Sequence, residues 1–225
     1  MRAPLLLAVG AVCASLLSGT ALAADDFSPA EKAIFMSDQL GPLHPPLTLR
    51  YSFRKSGTLE PGFDDSVALT LNPTDKGVCC AVHGEFLSGP RRTALPDIDY
   101  GSANPVTLYF LERDIREMGR ITQGSQGYFR KRIRMAAYQG ATVVPASFRY
   151  QGKTIAGQEI TLKPYVDDPN HARFEKFIGK EYHFLLSDAV PGGVYAIRTL
   201  TAGGSGGEAL LSEELLIDGA EPAAH

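Results

Sequence analysis

Tryptophan is absent from this chain of 225 residues, cysteine occurs only three times, and charge of neither sign dominates. The low cysteine count excludes a small domain held together by many disulfides. With 22 basic and 25 acidic residues and a formal net charge of −3, the chain is unlike the strongly basic proteins that coat nucleic acid. Hydrophobic residues make up 44% and charged residues 21%, so the length predicts one globular domain with a sizeable core.

Long apolar runs are lacking as well. The longest, Leu5–Leu17, spans about 13 residues, fewer than the roughly 20 that a membrane-spanning helix needs. It follows the basic Arg2 and precedes Ala21-Leu22-Ala23, which has small residues at the −3 and −1 places of the expected cleavage site, an order typical of a cleaved secretory signal. We expect residues 1–23 to be removed and the mature protein to begin at Ala24, in an exported compartment that is most simply a bacterial periplasm.

The motifs of common enzymes are also missing. The sequence has no G-x-S-x-G nucleophile turn, no H-E-x-x-H zinc motif, no Walker loop and no G-x-G-x-x-G. The candidate metal or hydrolytic residues have common types and no strict spacing. These candidates are His83 with Glu85, His171 with Asp167 and Asp168, His183, Asp97 with Asp99, and Asp64 with Asp65. We therefore predict a non-enzymatic protein with no catalytic residue, metal or cofactor, and a hydrolase is the less favoured alternative.

Two neighbouring cysteines, Cys79 and Cys80, remain in the predicted mature chain. Neighbours cannot pair with each other without a strained ring, so we expect the fold not to depend on a long-range disulfide. A redox or metal site with His83 is one interpretation, but in a strand Cys79 and His83 lie about 13 Å apart. The favoured interpretation is two small apolar residues in a half-buried strand.

Apolar periodicity predicts strands on either side of two helices. Ser28, Pro29 and Glu31 form a helix start with a capping box, and a short helix is expected to run to about Leu40. Farther on, alternating apolar residues predict strands, and apolar spacings of three and four predict helices. The expected strands are 47–53, 63–71, 78–87, 142–150, 154–166, 181–187, 194–202 and 208–217, and the two helices are about 104–121 and 126–139.

This order of elements predicts a mainly β protein of the α+β class. We expect residues 24–218 to form a single domain, a curled antiparallel sheet or half-open barrel with a short N-terminal helix and a two-helix insertion, and residues 219–225 to form a disordered tail. In element order, length and signal, the chain resembles the periplasmic lipoprotein carriers of the LolA and LolB type. The resemblance implies an incomplete barrel whose helical lid shelters acyl chains.

The near-neutral net charge conceals an uneven distribution. Met118–Gln158 contains seven basic residues and no acidic one, whereas the rest of the mature chain has 14 basic and 25 acidic residues. Four of the seven lie in the second helix without a local acidic partner and follow two aromatic residues. The predicted ligand- or anion-binding site is therefore Tyr128, Phe129, Arg130, Lys131, Arg132 and Arg134.

A basic face with aromatic residues at one end suits the headgroups of anionic lipids or an acidic protein patch. We expect a periplasmic binding protein that holds an apolar or amphipathic, lipid-like ligand in the curled sheet, with the basic helix facing an anionic group or membrane. An assembly component that docks an acidic partner protein is the alternative. It also remains open whether the acidic sheet of the same protein pairs these charges. Nucleic acid is not an expected partner.

Overall fold

Four segments of the chain define the fold. The computed structural model describes residues 27–75, 79–93, 95–204 and 207–221. The predicted signal peptide and residues 222–225 of the predicted tail lie outside these described residues. Within the four segments, no helix is long and apolar enough to cross a membrane.

The described segments form eight strands, two long helices and a short N-terminal helix. The strands are β1 (Leu47–Ser56), β2 (Phe63–Asn72), β3 (Ala81–Phe86), β4 (Thr142–Tyr150), β5 (Lys153–Leu162), β6 (Glu181–Leu186), β7 (Val194–Thr201) and β8 (Leu211–Ile217). The helices are α1 (Pro29–Glu31), which continues as one π-helical turn over Lys32–Met36, α2 (Val106–Thr122) and α3 (Gln126–Gln139). Short 3-10 turns occur at Gly89–Arg91, His171–Arg173 and Glu175–Phe177.

All eight strands belong to one antiparallel sheet in the order β3-β2-β1-β8-β7-β6-β5-β4. Two meanders, β1 to β3 and β4 to β8, are joined where β8 pairs with β1, for example at Phe53 opposite Leu215. The sheet does not close, since β3 and β4 are its edges. The predicted mainly β, α+β fold with a short N-terminal helix and a two-helix insertion is confirmed.

Helix α2 covers one face of the sheet. Along β1 the side chains of Tyr51 and Phe53 are buried while those of Ser52 and Arg54 are exposed, which is the alternation of a half-buried strand. The ring of Phe110 on α2 lies 6.3 Å from that of Phe53. Side chains of α2 therefore occupy the buried face of β1, where the expected ligand would have lain.

Buried polar groups are paired beneath α2. Asp114 accepts hydrogen bonds from Lys180 and from Tyr182, whose hydroxyl lies 2.6 Å from Oδ2. The Tyr182 hydroxyl is also 3.2 Å from that of Tyr165, and all four residues are buried. Burial, and then the charge of Asp114, raise the pKa of both tyrosines far above the ordinary value, so the hydroxyls stay protonated. The network lets a charged pair lie within an apolar core.

The N-terminal helix ends at Met36, earlier than the expected Leu40. The Asp38 carboxylate accepts a hydrogen bond of 2.9 Å from the Gly41 N–H, which closes a turn that competes with the helix. Leu40 is nevertheless buried, because its N–H donates to the carbonyl oxygen of Ser102 instead. Ser28 caps the helix with the predicted capping box.

Cys79 and Cys80 lie just before β3 and are joined to each other by a disulfide. The interpretation that they lie within a strand is wrong, because β3 begins at Ala81. Cys80 exchanges backbone hydrogen bonds with Gly101, and pairing with β2 begins only at Ala81, opposite Asn72. Cys80 is fully buried, and no disulfide joins distant segments in the described part of the chain.

The first residues of the predicted tail carry hydrogen bonds. The N–H of Glu221 donates to the carbonyl oxygen of Arg149 at 3.0 Å, and the Tyr195 hydroxyl donates to that of Glu221 at 2.7 Å. Ala220 forms an isolated β-bridge with Tyr150. These contacts attach residues 219–221 to the end of β4 and do not fit a disordered tail that begins at residue 219.

Candidate ligand-binding site

An apolar cleft lies between the N-terminal segment, α2 and α3, away from the sheet. Its volume is about 310 Å³, and seven of its eleven lining residues are apolar. The lining residues of this helical cleft are Phe27, Glu31, Phe35, Met36, Leu108, Leu111, Glu112, Ile115, Arg130, Ile133 and Arg134.

The spacing of apolar residues on α2 explains why the cleft is apolar. Leu108, Leu111 and Ile115 follow one another at intervals of three and four and form one stripe along the helix. Phe110 and Asp114 belong to a different stripe, the one that faces the sheet. Helix α2 thus carries apolar side chains toward two sides, and the sheet covers only one of them.

Large apolar side chains at the cleft remain half exposed. The exposed fractions are 46% for Phe27, 50% for Met36 and 52% for Leu108. On the adjoining surface of α3, Met135 and Tyr138 are also exposed. A contiguous apolar surface rimmed by charge is typical of a binding site.

An ion pair between Arg130 and Glu112 crosses from α3 to α2 at this cleft. Arg130 donates from Nε to Oε1 at 2.8 Å and from Nη2 to Oε2 at 2.7 Å. The hydrogen bond from Arg130 holds the pKa of Glu112 below its ordinary value. Glu112 is therefore an anion whose charge is already compensated.

Two other basic residues on α3 are uncompensated. Arg134 and Lys131 are exposed, and neither has an ion pair or hydrogen bond to any described residue. Both line a shallower neighbouring cleft of about 510 Å³ together with Met135 and Tyr138. The carboxylate of Glu31, which also faces these clefts, accepts a hydrogen bond from the N–H of Ser28. The rim therefore presents positive charge beside an apolar surface.

The remaining three residues of the predicted site face away from the cleft. Nε of Arg132 lies 2.9 Å from Oδ2 of Asp168 and donates to the carbonyl oxygen of Pro164 at 3.0 Å. Tyr128 donates to the other oxygen of Asp168, and Phe129 is buried in the core. These side chains attach α3 to the connection between β5 and β6.

The basic helix is thus divided between paired and unpaired charges. The partner of Arg130 lies on α2 and that of Arg132 lies in the connection after β5, so neither pairs with the sheet. The structure brings Arg130, Lys131 and Arg134 together but separates them from Tyr128 and Arg132.

Phe27, Met36, Leu108 and Glu112 contribute to the cleft but were not assigned to the site from sequence. The sequence did contain one indication of the cleft. The apolar residues of α2 extend around more of the helix surface than one stripe facing the sheet would need. The position of Met36 had no such signal, since it depends on where the N-terminal helix ends.

The candidate metal and hydrolytic residues do not converge. His83 lies on the edge strand β3, His183 lies on β6 with four strands between them, and His171 lies in the connection after β5. Each histidine has a local partner, such as Asp97 at 2.7 Å from His83. Within the described segments, no group of three or more His, Cys, Asp or Glu residues is arranged to hold a metal ion.

Comparisons with known proteins give limited similarity. No protein-family model and no curated protein sequence matches the chain. Among solved structures, the chain is similar to the crystal structure of the Mycobacterium tuberculosis lipoprotein LppX, with a TM-score of 0.31 and 10% sequence identity. The match covers 79% of this chain and 88% of that one. The resemblance to the LolA and LolB carriers stays a prediction at this level of similarity.

Proposed function

We propose that this chain is an exported, non-enzymatic binding protein that holds an apolar or amphipathic, lipid-like ligand in the helical cleft. The observation that carries the proposal is an apolar cleft with half-exposed walls beside two cations that have no ion pair among the described residues. We place the ligand between the helices rather than within the curled sheet, because core side chains such as Phe53 and Phe110 fill the space between β1 and α2.

The apolar part of the affinity comes from Phe27, Met36 and Leu108. Full burial of a large apolar side chain contributes about 1.5–3 kcal/mol, so covering the exposed half of each contributes about 1 kcal/mol. The volume of about 310 Å³ lies at the low end of the roughly 300–1,000 Å³ range of ligand pockets. A single acyl chain or a similarly narrow group suits this space.

The polar part of the ligand is proposed to be anionic and to face Arg134 and Lys131. Basic residues near an anionic lipid surface contribute on the order of 1 kcal/mol each. Arg130 contributes less, because Glu112 already occupies two of its donors. An anionic membrane surface is the partner that supplies such headgroups.

The proposed compartment is the periplasm. Its support is the composition of residues 1–23, which is that of a cleaved secretory signal. Cleavage before Ala24 makes Phe27, a wall of the helical cleft, the fourth residue of the mature chain. The N-terminal sequence of protein isolated from the periplasm tests this, and recovery of the chain only in the cytoplasm contradicts it.

Native mass spectrometry of protein extracted from cells tests ligand binding directly. The expected spectrum contains a complex with a bound species of lipid mass, and purified protein is expected to float with anionic but not with zwitterionic liposomes. Arg134→Gln is expected to weaken liposome binding, whereas Arg50→Gln is not, since Arg50 is an exposed arginine on the outer face of β1 whose side chain has no partner among the described residues. An empty protein with no affinity for anionic liposomes would overturn the proposal.

A second candidate function is docking of an acidic partner protein. It is favoured by the exposed Tyr138 and Met135 beside Lys131 and Arg134, since tyrosine, methionine and arginine are enriched in protein interfaces. A pull-down from periplasm discriminates the two. A stoichiometric protein partner without lipid supports docking, and bound lipid without a protein partner supports the carrier.

A further inference from the structure

A second charged cleft lies on the other flank of α2. Its volume is about 400 Å³, and it opens between β1, the 3-10 turn after β3 and the C-terminal half of α2. Five cations line this basic cleft, together with one carboxylate. The charged lining residues are Lys55, Arg91, Arg113, Arg116, Arg120 and Glu117.

Two of the cations share the carboxylates of Glu60 and Glu117. Lys55 is buried, with Nζ 2.6 Å from Oε2 of Glu60 and 3.7 Å from Oε2 of Glu117. Nη2 of Arg120 lies 2.5 Å from Oε1 of Glu60 and 2.8 Å from Oε2 of Glu117. Two positive and two negative charges are therefore balanced at one end of the cleft.

Two more cations each have a single partner. Nε of Arg91 lies 3.0 Å from Oδ2 of Asp65, and Nη1 of Arg113 lies 2.7 Å from Oε1 of Glu213. A guanidinium has five N–H donors, so each arginine retains donors for another acceptor. The guanidinium of Arg91 also lies 4.5 Å above the ring of Phe63, which fixes its position.

Arg116 is the surplus charge. It is exposed and has neither a hydrogen bond nor an ion pair to any described residue. Its charge acts at longer range on Glu112, which is already paired with Arg130. With four carboxylates beside five cations, the cleft carries a net positive charge of about one unit.

The carboxylates of Glu60 and Glu117 stay ionised at neutral pH, because neighbouring cations lower the pKa of both. The hydrogen bond from Lys55 holds the pKa of Glu60 below its ordinary value. Burial opposes ionisation of Glu117, but the hydrogen bond and charge of Arg120, with the charges of Arg113 and Lys55, outweigh it and lower its pKa. The ion pairs therefore hold the cleft walls in a fixed geometry.

We infer that the basic cleft binds a phosphate group, with Arg116 as the main contact and the free donors of Arg91 and Arg113 beside it. Arginine is the side chain whose planar fork matches phosphate oxygens with paired hydrogen bonds. Three arginines with unused donors suit a group that has several oxygens better than they suit a single carboxylate. The phosphate belongs either to a free ion or to a lipid headgroup, and the site is independent of the helical cleft.

Isothermal titration calorimetry at low ionic strength tests the inference. One arm titrates inorganic phosphate and the other titrates dihexanoyl phosphatidic acid, a soluble short-chain lipid. We expect saturable binding in at least one arm, weakened roughly tenfold by Arg116→Gln, less by Arg116→Lys, and not by the control Arg50→Gln. Equal affinity in both arms identifies the free ion as sufficient. Binding in the lipid arm alone identifies a headgroup in the basic cleft if Arg116→Gln weakens it and Arg134→Gln does not.

Two results overturn the inference. The first is no saturable binding in either arm by protein whose circular dichroism spectrum is that of a folded chain. The second is an affinity of Arg116→Gln equal to that of Arg50→Gln. The second result does not bear on the helical cleft, because Arg116 lines only the basic cleft and the proposal for the helical cleft is tested by the Arg134→Gln variant. An inorganic phosphate arm without binding likewise concerns the basic cleft alone, since the helical cleft is proposed to need an apolar chain.

Discussion

Arg130 and Glu112 join α3 to α2 through two parallel hydrogen bonds of 2.8 and 2.7 Å at the helical cleft. The pair neutralises a carboxylate that would otherwise repel an anionic ligand. It also fixes the separation of the two helices whose side chains form the cleft. The charges left over at the rim are those of Arg134, Lys131 and the carboxylate of Glu31, which leaves a net positive charge.

The variant Glu112→Gln is expected to lower the melting temperature by about 1–2 °C at neutral pH, since an exposed pair contributes roughly 0.5 kcal/mol. In the folded protein the hydrogen bond from Arg130 lowers the pKa of Glu112. The stabilisation by this ion pair is therefore fully present above the pKa that Glu112 has in the unfolded chain, and it is lost as the pH falls through the lower pKa of the folded state. Thermal melts between neutral and acidic pH check this. The difference between variant and wild type should vanish at low pH, and a difference that persists in acid contradicts the assignment.

Leu108→Gln is expected to weaken liposome binding about fivefold, because it removes close to 1 kcal/mol of apolar contact from the cleft wall. The free energy of unfolding should change by less than about 0.5 kcal/mol, since Leu108 is half exposed. Leu200→Gln, at an exposed leucine on β7, is the matched control. Equal liposome binding by the two variants would exclude Leu108 from the site.

Lys180→Met is expected to destabilise the protein by about 3–5 kcal/mol, because it leaves the buried Asp114 without its counterion. Lys176→Met, which replaces an exposed lysine four residues earlier, should have little effect. Tyr182→Phe should lower the free energy of unfolding by less, about 1–2 kcal/mol, since Asp114 keeps its hydrogen bond from Lys180. Denaturation in urea measures all three, and a Lys180→Met midpoint equal to that of Lys176→Met contradicts the buried network.

Gly157→Ala is expected to destabilise the sheet by about 1–3 kcal/mol. A Cβ atom at this position would overlap the backbone oxygen of Leu186 and the ring of Phe148, which stacks on Tyr195 with a centroid separation of 4.6 Å. Gly179→Ala is the control, because its Cβ would meet nothing nearby. Equal melting temperatures for the two variants would contradict the prediction, since they would mean that the hairpin of β4 and β5 shifts to accept the Cβ atom without loss of stability.

The sheet could be predicted from sequence because its pattern is local. Alternation such as Tyr51, Ser52 and Phe53 decides which face of β1 is buried. Most neighbouring strands also follow one another along the chain, and the pairing of β1 with β8 is the exception. Ser28 and Glu31 marked the start of the first helix for the same reason. Its end was misjudged because the local turn closed by Asp38 and Gly41 competes with the helix, and because the partner of the Leu40 N–H, Ser102, is distant in the chain.

The candidate site could be predicted only in part, since its geometry depends on distant partners. Asp114 looks like a solvent-exposed residue of α2, yet it faces the core because Lys180 lies opposite it, 66 residues later. That orientation turns Leu108 toward the helical cleft rather than the sheet. In the same way Arg132 pairs with Asp168, so its charge does not contribute to the basic face of α3.

The double variant Lys131→Ser with Arg134→Ser separates ligand binding from folding on α3. Both side chains are exposed and unpaired among the described residues, so stability should stay within about 0.5 kcal/mol, while affinity for anionic liposomes falls by on the order of 1 kcal/mol per charge. Arg132→Ser should do the reverse, because it leaves the buried carboxylate of Asp168 without its cation and lowers stability. Liposome flotation and urea denaturation of the two variants distinguish the roles. Parallel losses of binding and stability in both variants would mean that the positive charges of α3 serve the fold rather than a ligand.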